Sequence, residues 1–139
     1  MVKQLWLNLP VKDIARSRAF FTKIGFSFND THGVTADSAC MVVGERPFVI
    51  MLFTEALFTG FTGHPISNTT TATEMLISID AQSKQEVDEL AAKAAGAGGH
   101  VFGEPASVQG WMYGCGFTDP DGHRWNVLYM DPAGPPAAG

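Results

Sequence analysis

Leu5-Trp6-Leu7-Asn8-Leu9 has the apolar spacing of a short strand, and Pro10, which has no N–H for a continuing ladder, closes it. Asp13 stands where a helix N-cap belongs. Behind it Ile14, Phe20, Phe21 and Ile24 supply an apolar face among Arg16, Arg18 and Lys23, so a helix is expected over 14–24. Gly25 is placed to end it in a left-handed turn. Three strand-like runs follow at 26–29, 39–43 and 48–53, the last two joined by the loop Gly44-Glu45-Arg46-Pro47. Residues 54–73 then lose the periodicity. Thr59-Gly60-Phe61-Thr62-Gly63-His64-Pro65 and Ser67-Asn68-Thr69-Thr70-Thr71 are rich in turn formers and read as a linker, long enough for Leu57, Phe58 and Phe61 to pack over something.

The order then repeats. A strand is expected over 74–79. Ser83 and Glu86 form a capping box, and Val87, Leu90, Ala91 and Ala94 give a second helical face that the glycines of 96–99 terminate. Three more strands are expected at 100–102, 111–117 and 124–130. Asp119-Pro120-Asp121-Gly122 between the last two has the residues a type I turn favours. Val11 before the first helix corresponds to Ile79 before the second, 68 positions on, and Leu52 to Asn126, 74 positions on. Matched element order at a period of about 70 residues indicates an internal duplication. The expected fold class is α+β, with two βαβββ modules whose curled mixed sheets form a cleft. Residues 1–131 form one domain, divided into module one (3–54), linker (55–73) and module two (74–131), with a flexible tail over 132–139.

Composition narrows the function classes. The net charge is −5 and no Lys/Arg stripe exists, which argues against nucleic acid and anionic membrane as partners. No apolar run approaches the ~20 residues that span a bilayer, and the N-terminus enters a strand pattern at once, without a signal-peptide pattern. Cys40 and Cys115 are far apart with no CxxC, as reduced thiols of a cytoplasmic protein would be.

Asn8-Leu9-Pro10-Val11-Lys12-Asp13-Ile14 with Phe20-Phe21-Thr22-Lys23-Ile24-Gly25-Phe26 resembles the opening module of the vicinal-oxygen-chelate superfamily. Ala97-Gly98-Gly99 and Asp119-Pro120-Asp121-Gly122-His123 are similar to its second module. The superfamily includes glyoxalase I, extradiol dioxygenases and the bleomycin- and fosfomycin-resistance proteins. The resemblance covers roughly residues 3 to 131; it is specific for fold and weak for reaction. It implies a homodimer as the common assembly.

The resemblance also places four metal-ligand positions, which fall on Trp6, Leu52, Glu74 and Asn126. An indole N–H only donates, leucine has no lone pair, and asparagine is a weak neutral ligand, so Glu74 is the one strong donor. Catalytic Zn²⁺, Ni²⁺ or Fe²⁺ favours three or more N, O or S donors. No metal and no other cofactor is therefore expected. His32, His64, His100 and His123 form no HxH, HxxxH or HExxH pattern.

Without metal, the expected cleft is apolar with a few polar groups, lined by Trp6, Asn8, Leu52, Glu74, Trp111, Tyr113, Arg124 and Asn126. By strand alternation Phe48, Ile50 and Leu52 share one face, Trp111, Tyr113 and Cys115 another, and Arg124, Asn126 and Leu128 a third. Glu74 is the best catalytic candidate, against the alternative of a salt bridge to Arg124. Cys115, between Gly114 and Gly116, has no nucleophile motif around it and reads as a small buried residue. The leading function is the binding of a small, partly apolar molecule in a metal-free cleft. The alternative is a lyase, isomerase or dioxygenase-type enzyme of the same superfamily using Glu74 as base or metal ligand, with Arg124, Tyr113 or Asn126 as electrophile.

Overall fold

Asp13 caps the first helix through its side chain: Oδ1 accepts from the Arg16 N–H at 3.1 Å. The helix, α1 (Ile14–Lys23), buries Ile14, Ser17, Phe20 and Phe21. Gly25 follows at φ 105°, where a side chain would be strained. These details come from a computed structural model that describes residues 1–31 and 35–135. His32, considered above as a metal donor, and the end of the 132–139 tail lie outside the described residues.

Two compact units divide the chain, one over Met1–Asn68 and one from Thr69 onward. The first holds β1 (Leu7–Val11), α1, β2 (Ser27–Phe28), β3 (Ser38–Val43), β4 (Phe48–Thr54) and α2 (Glu55–Thr62). Its sheet has the order β1-β4-β3-β2, with β1 parallel to β4 and the other pairs antiparallel. The second unit holds β5 (Leu76–Ala81), α3 (Lys84–Gly96), β6 (His100–Val108), β7 (Met112–Thr118) and β8 (Arg124–Met130). Its order, β5-β8-β7-β6, repeats the first strand for strand. The α+β duplication expected from the sequence is the observed fold.

Four boundaries differ from the expectation. Pro10 lies inside β1 rather than closing it; β1 is an edge strand, where a missing N–H need not break a ladder. The expected linker begins with a helix, α2, because Leu57, Phe58 and Phe61 have helical spacing and Gly63 at φ 68° supplies the left-handed stop. β5 starts at Leu76, so Glu74 precedes the strand. β6 is also longer than expected and contains register shifts between Val101 and Ala106.

In each unit the helix covers one sheet face. Leu9, Val11, Met41, Ile50 and Leu52 are buried with Phe20, Phe21 and Ile24 in the first. Fully burying a Phe or Leu side chain contributes about 1.5–3 kcal/mol each, which makes this face the main source of that unit's stability. In the second, Phe117, Trp125 and Val127 are buried with Val87, Ala91 and Ala94, and the Phe117 and Trp125 rings stack with centroids 6.1 Å apart. Ser83 caps α3 by accepting the Glu86 N–H at 3.1 Å, while Glu86 Oε2 accepts from the Gln82 N–H at 2.7 Å.

Candidate functional site

Paired residues in a sheet share a face, so the registers decide which side chains stand together. In the first unit Leu9 pairs with Leu52 and Met41 with Ile50, all on the α1 side. The opposite face carries Asn8 beside Met51 and Pro10 beside Phe53, with Cys40 and Val42 across β3. Phe61 of α2 sets its ring edge against Phe53, centroids 5.1 Å apart.

In the second unit Cys115 pairs with Val127 and Phe117 with Trp125 on the α3 side. The other face is built in rows across β5, β8 and β7: Leu76, Arg124, Thr118; then Ser78, Asn126, Gly116; then Asp80, Leu128, Gly114. His100 extends the first row on β6, as the partner of Thr118. Phe102 lies over the second row. A Cβ added to Gly116 would meet the Phe102 ring at 2.5 Å, so the absence of a side chain there is what lets the ring lie against β7. The Arg124 guanidinium stands over the same ring, 4.3 Å from its centroid. Asn126 Nδ2 donates to Ser78 Oγ at 3.3 Å. Gly114 leaves room for Leu128 in the same way. The two glycines thus make space for side chains.

The eight residues expected to line one cleft are divided by this geometry. Arg124 and Asn126 share the α3-free face of the second unit. Asn8 lies on the α1-free face of the first, and Trp6, 54% exposed, precedes β1. Leu52 is a correction: it is fully buried on the α1 side, and the β4 residue beside Asn8 is Met51. Tyr113 is another. It pairs with Tyr129 on the α3 side, and its hydroxyl donates to Asp88 Oδ1 at 2.6 Å, a bond that pushes the phenol above its ordinary value. Trp111 sits just before β7, its carbonyl accepting from the Asp131 N–H at 2.8 Å. Glu74 is exposed, and among the described residues it forms no salt bridge with Arg124. Sequence reasoning missed Phe102, Ser78 and Met51. Alternation cannot find the partner of a strand until the register is fixed, and the β6 irregularity hides the parity of Phe102.

The donor set at the family's metal positions does not fit a catalytic ion. Of the four positions that the resemblance implies, Leu52 is buried on the α1 side, and Trp6, Glu74 and Asn126 offer an indole donor, one carboxylate and one amide. Among the described residues no group of three or more His, Cys, Asp and Glu gathers where an ion could be held.

Two buried titratable groups serve the scaffold. The Cys115 thiol, directed at the Val87 carbonyl 3.9 Å away, is pushed up to about 11 by burial. Asp119 holds the turn before β8: Oδ1 accepts from the N–H groups of Asp121 and His123 at 3.0 and 3.1 Å, and Oδ2 from Trp125 Nε1 at 3.1 Å. Gly122, at φ 84°, completes the turn, and Thr69 docks on it by donating to the Asp121 carbonyl at 2.6 Å. No helix among the described residues is long and apolar enough to cross a membrane.

A family model described as bleomycin resistance protein-like N-terminal matches residues 3–44. The chain is similar to the structure of hypothetical protein SA1046 from S. aureus, with 31% identity, 94% of this chain and 95% of that one covered, and a TM-score of 0.83. A glyoxalase-related enzyme from Fulvimarina pelagi shares the fold at 17% identity and TM-score 0.76, covering 92% and 88% of the two chains. The fosfomycin resistance protein FosX of Listeria monocytogenes shares it at 19% identity and TM-score 0.66, covering 96% and 98%. No curated protein matches the chain. The duplicated βαβββ topology and these likenesses give the chain the fold of the glyoxalases, bleomycin-resistance proteins and dioxygenases, and residues 3–44 match the bleomycin resistance protein-like N-terminal family.

Proposed function

We propose that this protein binds a small, partly apolar molecule in the cytoplasm without a metal ion, working as a single glyoxalase-like domain over 1–131 and as a homodimer. The observation that carries the reading is the α3-free face of the second sheet. There an aromatic ring, apolar side chains and a few convergent polar groups stand together: Phe102, Leu128, Arg124, Asn126 and Ser78. That mixture is what small-ligand sites are made of. The donor set supports the metal-free part, since one carboxylate and one amide are too few to outcompete water for a transition ion. Sequestration needs only such a face.

The test is a calorimetric titration with small aromatic probes, 1-naphthoate and 1-naphthamide, before and after dialysis against a chelator. Saturable binding of at least one probe, at one site per chain and with unchanged affinity after dialysis, is expected. Elemental analysis of protein purified without chelators is expected to find less than stoichiometric transition metal. Binding of neither probe, or binding abolished by the chelator and restored by Zn²⁺ or Ni²⁺, overturns the reading.

A further inference from the structure

We infer that the α3-free face of the second sheet contains a carboxylate-binding subsite, in which Arg124, supported on the Phe102 ring, selects anionic ligands over neutral ones. This rests on the proposal that the face binds a small molecule, and it adds the chemical class of that molecule.

Arg124 forms no salt bridge to any carboxylate among the described residues, and its guanidinium stands over the face of the Phe102 ring. A guanidinium always carries its charge, and its planar fork of donors matches a carboxylate bidentately. Stacking on an aromatic face leaves the in-plane N–H groups pointing outward while fixing the plane. The support is itself fixed, because the ring lies on the bare backbone of Gly116.

The neighbours agree in chemistry. Across the first row from Arg124 stands Thr118, a hydroxyl donor, and beyond it His100. Along β8 on the same face comes Asn126, whose Nδ2 is already directed at Ser78. Asp80, a carboxylate on this face, is two rows away from Arg124 and accepts from Gln82 Nε2 at 3.0 Å. The face is therefore cationic and donor-rich at the Arg124 end and apolar further along, where Leu128, Met112 and Met130 stand. An amphiphile with a carboxylate at one end and a flat apolar body fits that gradient. Charge-assisted bonds to a guanidinium are about twice as strong as neutral ones, so the anion supplies most of the discrimination.

The matched pair 1-naphthoate and 1-naphthamide isolates the charge, since the two have nearly the same shape. Titration of the full chain at low salt is expected to show naphthoate binding about 10-fold or more tighter. Raising the salt to about 1 M should shrink that ratio, because screening acts on the charged ligand alone. Arg124→Met keeps an apolar stem over Phe102 and is expected to lower naphthoate affinity to that of naphthamide, leaving naphthamide within about 2-fold. Arg124→Lys, which keeps the charge and loses the fork, should fall between. Equal affinity for the two probes in the unaltered protein overturns the subsite while leaving the small-molecule reading in place. Binding of neither probe overturns both. If Arg124→Met weakens both probes equally, Arg124 shapes the face without selecting anions, and the subsite is again refuted. The wild-type ratio decides the matter even if a variant fails to fold.

Discussion

The two thiols stand on opposite kinds of surface. Cys115 is buried beneath α3, with its pKa about 11, whereas Cys40 is half-buried on the α1-free face of its own sheet. At pH 8 a thiol of that pKa is ionised only to the order of one part in a thousand, and the thiolate is the reacting species. Iodoacetamide at pH 8 is therefore expected to modify Cys40 alone in the folded protein and both cysteines in denaturant, as mass spectrometry would count. Prompt modification of Cys115 would mean that α3 opens readily. Asp119 makes a second case. Burial raises its carboxyl above the ordinary value, against the charge of His123 and the hydrogen bond from Trp125. A carboxyl raised on folding keeps its proton longer in the folded chain. Its stabilising contribution is therefore present below the ordinary carboxylate pKa and is lost as pH climbs through the raised value. Asp119→Asn removes the acceptor facing Trp125 and is expected to cost about 1–3 kcal/mol at acid pH, the cost of an unpaired buried donor. The cost should shrink as pH rises, and denaturant titrations of both proteins from pH 3 to 8 measure it. A cost that grows with pH would show that the three hydrogen bonds hold the carboxyl down instead.

At the scale of elements, what the sequence made legible was what local chemistry determines. Asp13, the Ser83/Glu86 pair, Gly25 and the Asp-Pro-Asp-Gly turn each satisfy or shape backbone within a few residues, and each was found where expected. Strand register was not legible, because it is fixed only when strands pair, and the β6 irregularity that shifts it has no compositional signal. Two of the eight expected lining residues were misplaced for that reason: one slip of parity carries Leu52 and Tyr113 to the helix side. The glycines of β7 offer a test of the observed register. Gly116→Ala would drive a Cβ into the Phe102 ring, and overpacking of this sort typically costs about 1–3 kcal/mol. In a Phe102→Ala background most of that cost should vanish, a coupling that a double-mutant cycle of thermal or denaturant stabilities reads directly. Gly114→Ala should show no such rescue by Leu128→Ala, because its Cβ would also lie 2.6 Å from the Val127 carbonyl oxygen, which trimming a side chain cannot move. Additive losses at Gly116 and Phe102 would mean that the ring does not lie on β7.

For the molecule as a whole, the duplicated strand order was legible because each module repeats its own hydrophobic punctuation, whereas a reaction was not, since the fold hosts many. Glyoxalase chemistry uses metal to polarise oxygens of an enediolate, and the donor set here does not support one. Turnover of the hemithioacetal of methylglyoxal and glutathione is accordingly expected to stay at background, even with added Ni²⁺ or Zn²⁺; robust turnover would show that other residues supply the ligands. Assembly follows from what each unit leaves uncovered. The sheets end in edge strands, β1 and β2 in one and β5 and β6 in the other, and Phe48, Phe61 and Met75 are large apolar side chains left exposed. Unpaired edges and exposed apolar groups of this kind invite a second copy, and an isologous two-fold pair is the commonest way soluble chains cover them. Light scattering coupled to size exclusion at low micromolar concentration is expected to give about 30 kDa, twice the 14.9 kDa chain, and about 15 kDa across the peak would refute the dimer. Phe61 separates two ways of forming it. Its ring already packs on Phe53 of its own unit yet remains 64% exposed. If that contact is its whole role, Phe61→Asp should lower stability and leave the mass at the dimer value. Dissociation without loss of secondary structure would instead place α2 in the interface.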